Sequence, residues 1–224
     1  MKLYMYPAST TCRPILQFVI DEGIQIETQV VDLMKGEQYG PEFTRINPNH
    51  QVPLLEDGDF RVTESATILR YLAEKSGSHA YPKDLRERAR VNEMLDWFNS
   101  NFYREWGYGF IYPQVFPHMK RPDPAVQAAT VAWGREKARK WFKVLNDHWI
   151  GPDKKYLCGT EITLADYFGA ALVTMGEFIN CRPTAYPNVC RWLDTVKGRP
   201  SYATANAIFN GYCEQMKEQT FESL

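Results

Sequence analysis

The feature that most constrains this chain is a change of hydrophobic period near residue 80. Before it, short β-like runs alternate with helical patterns. After it, almost every stretch repeats at helical spacing. Such a chain predicts a small α/β unit followed by an all-helical one. With 224 residues there is room for one large or two small domains at about 150 residues each. The boundaries read as 1–76 for the first domain, 77–84 for a linker carrying Gly77 and Pro82, and 85–224 for the helical domain.

Within the first unit, Lys2–Tyr6 reads as a strand and Arg13–Glu22 as an amphipathic helix ended by Gly23. Ile24, Ile26, Thr28 and Val30 alternate as a second strand. A short helix fits Pro41–Ile46. Val52–Glu56 and Phe60–Thr63 flank Asp57-Gly58, a strong hairpin signal, and Glu64–Lys75 is a helix. The order is β-α-β-(α)-β-β-α, with a crossover that should be right-handed. In the second unit, five apolar stripes begin at Val91, Ala138, Leu164, Val189 and Tyr202. Thr163-Leu164-Ala165-Asp166 fits a capping box and is read as the start of a buried helix, without chemistry of its own.

Composition excludes several classes. Lys+Arg 26 against Asp+Glu 27 leaves a net charge of −1, so nothing draws the chain to nucleic acid or an anionic membrane surface. The five cysteines are Cys12, Cys158, Cys181, Cys190 and Cys213. They are widely spaced, without a C-x-x-C, which fits reduced thiols better than a zinc framework or a disulfide scaffold. The scattered histidines offer no metal spacing. The first residues lack an apolar signal core, and no apolar run approaches about 20 residues. A cytosolic protein without a metal is expected.

Four places carry possible chemistry. Ser9-Thr10-Thr11-Cys12-Arg13 joins the first strand to the first helix, where an anion is favoured; the same hydroxyls equally serve as helix caps. Val52-Pro53 opens a hairpin strand, as a trans strand start or as a cis bond that leaves the Val52 backbone free to pair with an extended peptide. Glu64-Ser65 opens the third helix, where free N–H groups suit a carboxylate and Glu64 an ammonium; it also reads as an ordinary acidic helix start. The run Phe102, Tyr103, Trp106, Tyr108, Phe110, Tyr112 and Phe116 is interrupted by Gly107, Gly109 and Pro113. Irregular backbone there would make part of the run a cleft wall, and the rest core.

The order and spacing of these signals are more specific than any one of them. Asn47–Gly58, reading NPNHQVPLLEDG, followed by Glu64–Leu72, reading ESATILRYL, resembles the glutathione-binding signature of cytosolic glutathione transferases. Pro7–Arg13 and Val31–Glu37 most resemble the serine-type theta and delta classes. The resemblance spans the whole chain and implies a thioredoxin-like first domain. It implies Ser9 as the catalytic hydroxyl, since Met5 and Thr10 stand where tyrosine-type and cysteine-type enzymes carry theirs. Val52, with Pro53 in cis, would clamp the cysteinyl backbone. Glu64 and Ser65 would hold the γ-glutamyl end, and Gln38, His50 and Gln51 the glycyl carboxylate. Tyr103, Trp106, Tyr108 and Tyr112 would wall the electrophile pocket. Thr11 departs from the pattern, which commonly has proline there.

The resemblance further implies glutathione as co-substrate, a hydrophobic electrophile as second substrate, and a homodimer. Glutathione-dependent peroxide reduction or dehalogenation would use the same thiolate. A non-catalytic relative that keeps the fold is a different class, disfavoured by the joint presence of Ser9, Pro53, Glu64 and Ser65. A thiol-disulfide oxidoreductase built on Ser9-x-x-Cys12 lacks its first cysteine. Thr10, Thr11 and Tyr6 are rival donors to Ser9.

Overall fold

The computed structural model describes all residues, Met1–Leu224. Four strands form one mixed sheet in the order β2-β1-β3-β4: β1 Lys2–Met5, β2 Glu27–Val30, β3 Leu54–Asp57 and β4 Phe60–Val62. The strand β1 runs parallel to β2 and antiparallel to β3, with Leu3 opposite Thr28 on one side and Leu55 on the other. Alternation puts Leu3, Met5 and Leu55 into the core. Tyr4 faces the other way, and its ring centroid lies 6.2 Å from that of Phe43. In the two-residue turn after Asp57, Gly58 takes φ 65°, which an L-residue rarely adopts. Edge strand β2 is exposed along its length, so its alternation marks no buried face.

Around the sheet lie α1 Arg13–Asp21, α2 Pro41–Ile46 and α3 Ser65–Ser76. The first domain is thus the expected thioredoxin-like β-α-β-(α)-β-β-α unit, followed by helices. Ile15, Phe18 and Val19 of α1 are buried, and α1 packs on α3 as well as on helices of the second unit. Its far end is pinned there too: Asp21 accepts from Tyr167 Oη at 2.8 Å and from Arg199 Nε at 2.7 Å.

The helices that follow are α4 Leu85–Trp97, α5 Tyr112–Val115, α6 Pro124–Val144, α7 Leu164–Val173, α8 Pro187–Lys197 and α9 Pro200–Gln215. Between α4 and α5 the backbone does not become irregular, as the glycines and Pro113 suggested. It continues as a wide π-helical run, Phe98–Ile111. Tyr112 N–H bonds to Gly107 O, five residues back, which carries the helix up to the proline that has no N–H to offer. Gly107 serves packing: a Cβ there would lie 2.7 Å from the Tyr103 ring.

At the start of α7 the capping box forms. Thr163 N–H donates to Asp166 Oδ2 at 2.8 Å, while Leu157 N–H and Trp192 Nε1–H both donate to Asp166 Oδ1. The carboxylate is fully buried, and these bonds satisfy it. No helix is long and apolar enough to cross a membrane.

The run Phe98–Ile111 meets α6 where two glycines face each other. A Cβ on Gly134 would overlap the Gly109 carbonyl, so backbone would have to move. Helix propensity alone favours Ala over Gly by about 1 kcal/mol. Overpacking against rigid backbone costs about 1–3 kcal/mol and should win. Gly134→Ala is expected to lower stability in chemical denaturation. Gly211→Ala, at an open position on α9 with nothing within 4 Å, is expected to raise it. Stabilisation by both would contradict the close approach.

Candidate active site

The loop Tyr6–Cys12 leads from β1 into α1. Its carbonyl at Ser9 accepts from Cys12 N–H and Arg13 N–H at 3.1 and 3.0 Å, so Ser9 is tied to the first turn of the helix. None of the three hydroxyls caps that helix. Its N-cap is Cys12, which makes no side-chain cap, and Pro14 removes one N–H of the first turn. The hydroxyls bond elsewhere. Ser9 Oγ lies 3.1 Å from Thr11 Oγ1, and Thr11 donates to Val52 O at 3.2 Å. The proline common at this position in serine-type enzymes has no hydroxyl for that bridge. Tyr112 Oη donates to Thr10 Oγ1 at 3.4 Å.

Cys12 is completely buried, and burial pushes its thiol up to about 11. It stays protonated at neutral pH and does not line the cleft beside it, which removes the thiol-disulfide reading.

Across from Ser9 stands the segment Asn47–Pro53. Buried Asn47 organises it, accepting from Asn49 N–H at 3.1 Å and donating to Gln51 O at 2.8 Å. His50 takes φ 55°, and its Nδ1 lies 2.9 Å from Gln38 O. A carbonyl only accepts, so Nδ1 carries the proton. The Val52-Pro53 bond is cis.

The third wall is the start of α3. Glu64 precedes it at φ 65°, a conformation that costs a non-glycine residue about 1–3 kcal/mol and clusters at ligand sites. No side chain caps this helix, and its first turn holds no acidic residue. Its first-turn N–H groups are therefore left without a side-chain cap, with buried Ser65 at the first position.

These segments enclose one cleft of about 1010 Å³. Ser9, Gln38, His50, Gln51, Val52, Pro53, Glu64 and Ser65 all line it. So do Tyr103, Tyr108, Tyr112 and Phe116 of the aromatic run.

Trp106 does not, and its expected place in the wall is corrected. It is fully buried, donates from Nε1 to Leu172 O at 3.1 Å, and meets the Phe142 ring edge-on at 4.9 Å. Helical continuity explains the split. Phe102, Trp106 and Phe110 fall on the inner face, while the phenols face the cleft.

The phenols are linked. Tyr103 Oη lies 2.7 Å from Tyr112 Oη, and burial raises the pKa of both. They are neutral donors at pH 7.

Position in sequence gave no sign of several other wall residues. Phe209 and Tyr212 come from α9, and Met175 and Phe178 from the turn after α7. Tyr6 pairs with Tyr212 at the cleft wall, Oη to Oη at 2.8 Å. Burial and this partner raise the pKa of Tyr6, so it too remains protonated. No three His, Cys, Asp or Glu side chains converge as metal ligands.

Comparison with known proteins agrees with this layout. Residues 1–74 match the model for the glutathione S-transferase N-terminal domain, and 110–200 that for its C-terminal domain. The chain is 33% identical to human glutathione S-transferase theta-1 over 208 residues, 91% of this chain and 80% of that protein. Human glutathione transferase theta-2, solved with glutathione and an unknown ligand, superposes with a TM-score of 0.84 at 28% identity, covering 100% of this chain and 93% of that one. A delta-class glutathione transferase of Nilaparvata lugens gives 0.79 at 29% identity, covering 96% and 98%. Likeness on this scale covers both the sheet-bearing unit and the helical unit, and the chain therefore belongs to the glutathione S-transferase family.

Proposed function

We propose that this enzyme binds glutathione in the cleft and transfers it, joined through its sulfur, to a small apolar electrophile. The observation that carries the reading is convergence. Ser9, His50-Gln51, Val52-Pro53 and Glu64-Ser65 lie up to 56 positions apart in the chain and line one cavity beside two uncapped helix starts. In this reading residues 1–76 form the glutathione-binding unit, 77–84 the linker, and 85–224 the helical unit that supplies the electrophile wall.

Each end of the tripeptide has a chemically matched neighbour. The γ-glutamyl carboxylate accepts from Ser65 and the first-turn N–H groups of α3, and its ammonium pairs with Glu64. The Val52 backbone pairs with the cysteinyl residue. Gln38, His50 and Gln51 meet the glycyl carboxylate.

A free thiol has a pKa near 8.5, so only a few per cent is thiolate at pH 7. Lowering it by about two units requires roughly 2.7 kcal/mol of preference for the anion. One charge-assisted hydrogen bond from Ser9 and the positive end of α1 can supply this. Ser9 acts as donor, not nucleophile; its hydroxyl, 3.1 Å from Thr11 Oγ1, turns its proton to the sulfur. The thiol proton leaves to solvent. The thiolate attacks an electrophilic carbon lodged against Tyr103, Tyr108 and Tyr112, forming the C–S bond as that carbon's bond to halide, or to the epoxide oxygen, breaks. The displaced group departs or is protonated from water. The Tyr103 and Tyr112 phenols, kept neutral by burial, neither repel the anion nor compete as nucleophiles. The compartment is the reducing cytosol, and the working unit is a homodimer.

A steady-state assay with glutathione across halides, epoxides and peroxides separates conjugation from peroxide reduction, and no turnover on any would sink the reading. Ser9→Ala should lower turnover by roughly ten- to a thousand-fold while glutathione affinity changes less, since only the donor to the anion is lost. Wild-type turnover against pH in Ser9→Ala, with loss in Thr10→Val, Thr11→Val or Tyr6→Phe, would move the role to that residue. By calorimetry, Ser65→Ala should weaken glutathione binding by about tenfold or more, the worth of a hydrogen bond to a charged group. Unchanged affinity would refute this placement. Light scattering should give twice the 26.0 kDa chain mass; a monomer would refute the homodimer.

A further inference from the structure

Arg13 is the only cation the fold buries, 1% exposed at the first position of α1. No carboxylate pairs with it. Nη1 donates to Asn206 Oδ1 at 2.6 Å and to Thr174 Oγ1 at 3.4 Å, and Nη2 donates to Ala171 O at 2.8 Å. Nε has no partner. The guanidinium carbon sits 3.7 Å from the centroid of the Phe209 ring, and Phe209 lines the cleft. Every acceptor is neutral, so the dipoles and the ring ease the desolvation of the cation without cancelling its charge.

The titratable groups facing it are Tyr202 and Cys213 on α9, Glu177 after α7, and Tyr112 on α5. Glu177 is already held by Lys197 at 2.7 Å. Burial keeps Tyr202, Cys213 and Tyr112 neutral, and the guanidinium pulls each of them the opposite way, towards its anion. Tyr112 is a cleft residue bonded to Thr10, so the field of Arg13 reaches the wall beside Ser9.

We infer that Arg13 is a fixed positive charge behind the Phe209 wall that favours the thiolate of glutathione bound at Ser9. The inference rests on the glutathione reading above. Arg13 touches no reacting atom. Its action is through space from behind the Phe209 ring, in a medium of low polarity where an unpaired charge that does not touch the thiol still shifts its pKa by about one unit. A purely architectural Arg13, clamping α1 to α7 and α9, would affect stability and leave the thiol's titration alone.

The test titrates thiolate absorbance in the glutathione complex, with affinity measured separately by calorimetry. Arg13→Met should raise the bound thiol's pKa by about one unit and lower kcat/KM about tenfold at pH 6.5, converging with wild type at high pH. Arg13→Lys should restore most of the shift. Asn206→Asp keeps the guanidinium but pairs it with a carboxylate, and should raise the thiol pKa as well. This second variant keeps the question open to refutation if Arg13→Met does not fold. Bound glutathione with a wild-type pKa in Arg13→Met or in Asn206→Asp would overturn the inference, as would a Lys variant that behaves like Met. Failure of the wild type to bind glutathione would instead overturn the reading on which the inference stands.

Discussion

The structure depends on α1 being buried on both sides. One side, with Ile15, Phe18 and Val19, packs within the first unit. The other meets α7 and α9 of the helical unit. Each apolar side chain buried there contributes about 1.5–3 kcal/mol. Burial alone is non-directional and would let the units slide. Direction comes from the two polar ends, where Arg13 reaches Ala171 and Asn206, and Asp21 reaches Tyr167 and Arg199. Two anchors one helix apart fix rotation as well as distance. The cleft is a consequence: the loop preceding α1 and the aromatic side chains of α9 are held side by side along its wall.

The same constraint explains why the wall is divided as it is. A helix from Leu85 to Val115, continued through wide turns, presents one face to α6 at close range. Gly109 and Gly134 permit that approach, and the space it leaves is filled by Phe102, Trp106 and Phe110 against Phe142. Phenols are poorly suited to that interior, where each hydroxyl would need a partner. They occupy the cleft side, where Tyr103, Tyr112 and Thr10 supply partners to one another.

Local chemistry was readable wherever one segment contained the whole cause. The hairpin needs only Gly58 and its flanks, the capping box only Thr163 and Asp166, and α2 only its proline start. The cleft-lining residues of the first unit were readable because they lie in short contiguous motifs. What escaped were effects whose partner lies far along the chain. Trp106 looks like Tyr103 or Tyr112 until Leu172 and Phe142 are seen beside it. Phe209 and Tyr212 belong to an ordinary helical stripe until α9 is placed beside Tyr6. The exposed alternation of β2 gave a correct strand for a reason other than burial.

The beginning of α1 ties these strands together. A serine or threonine placed before a helix usually caps it, which stabilises by about 1 kcal/mol and commits the hydroxyl to a backbone N–H. Here Cys12 takes the cap position without capping, and Pro14 lowers the number of N–H groups left over. The hydroxyls of Ser9, Thr10 and Thr11 are thereby uncommitted to the helix they precede. Thr11 turns to Val52, Thr10 receives Tyr112, and Ser9 meets its neighbour Thr11. A weak neutral bond between two hydroxyls is readily exchanged for a bond to an anion, which is roughly twice as strong. An uncapped helix start is thus less stable than a capped one, and it leaves both a donor and a positive field facing the cleft.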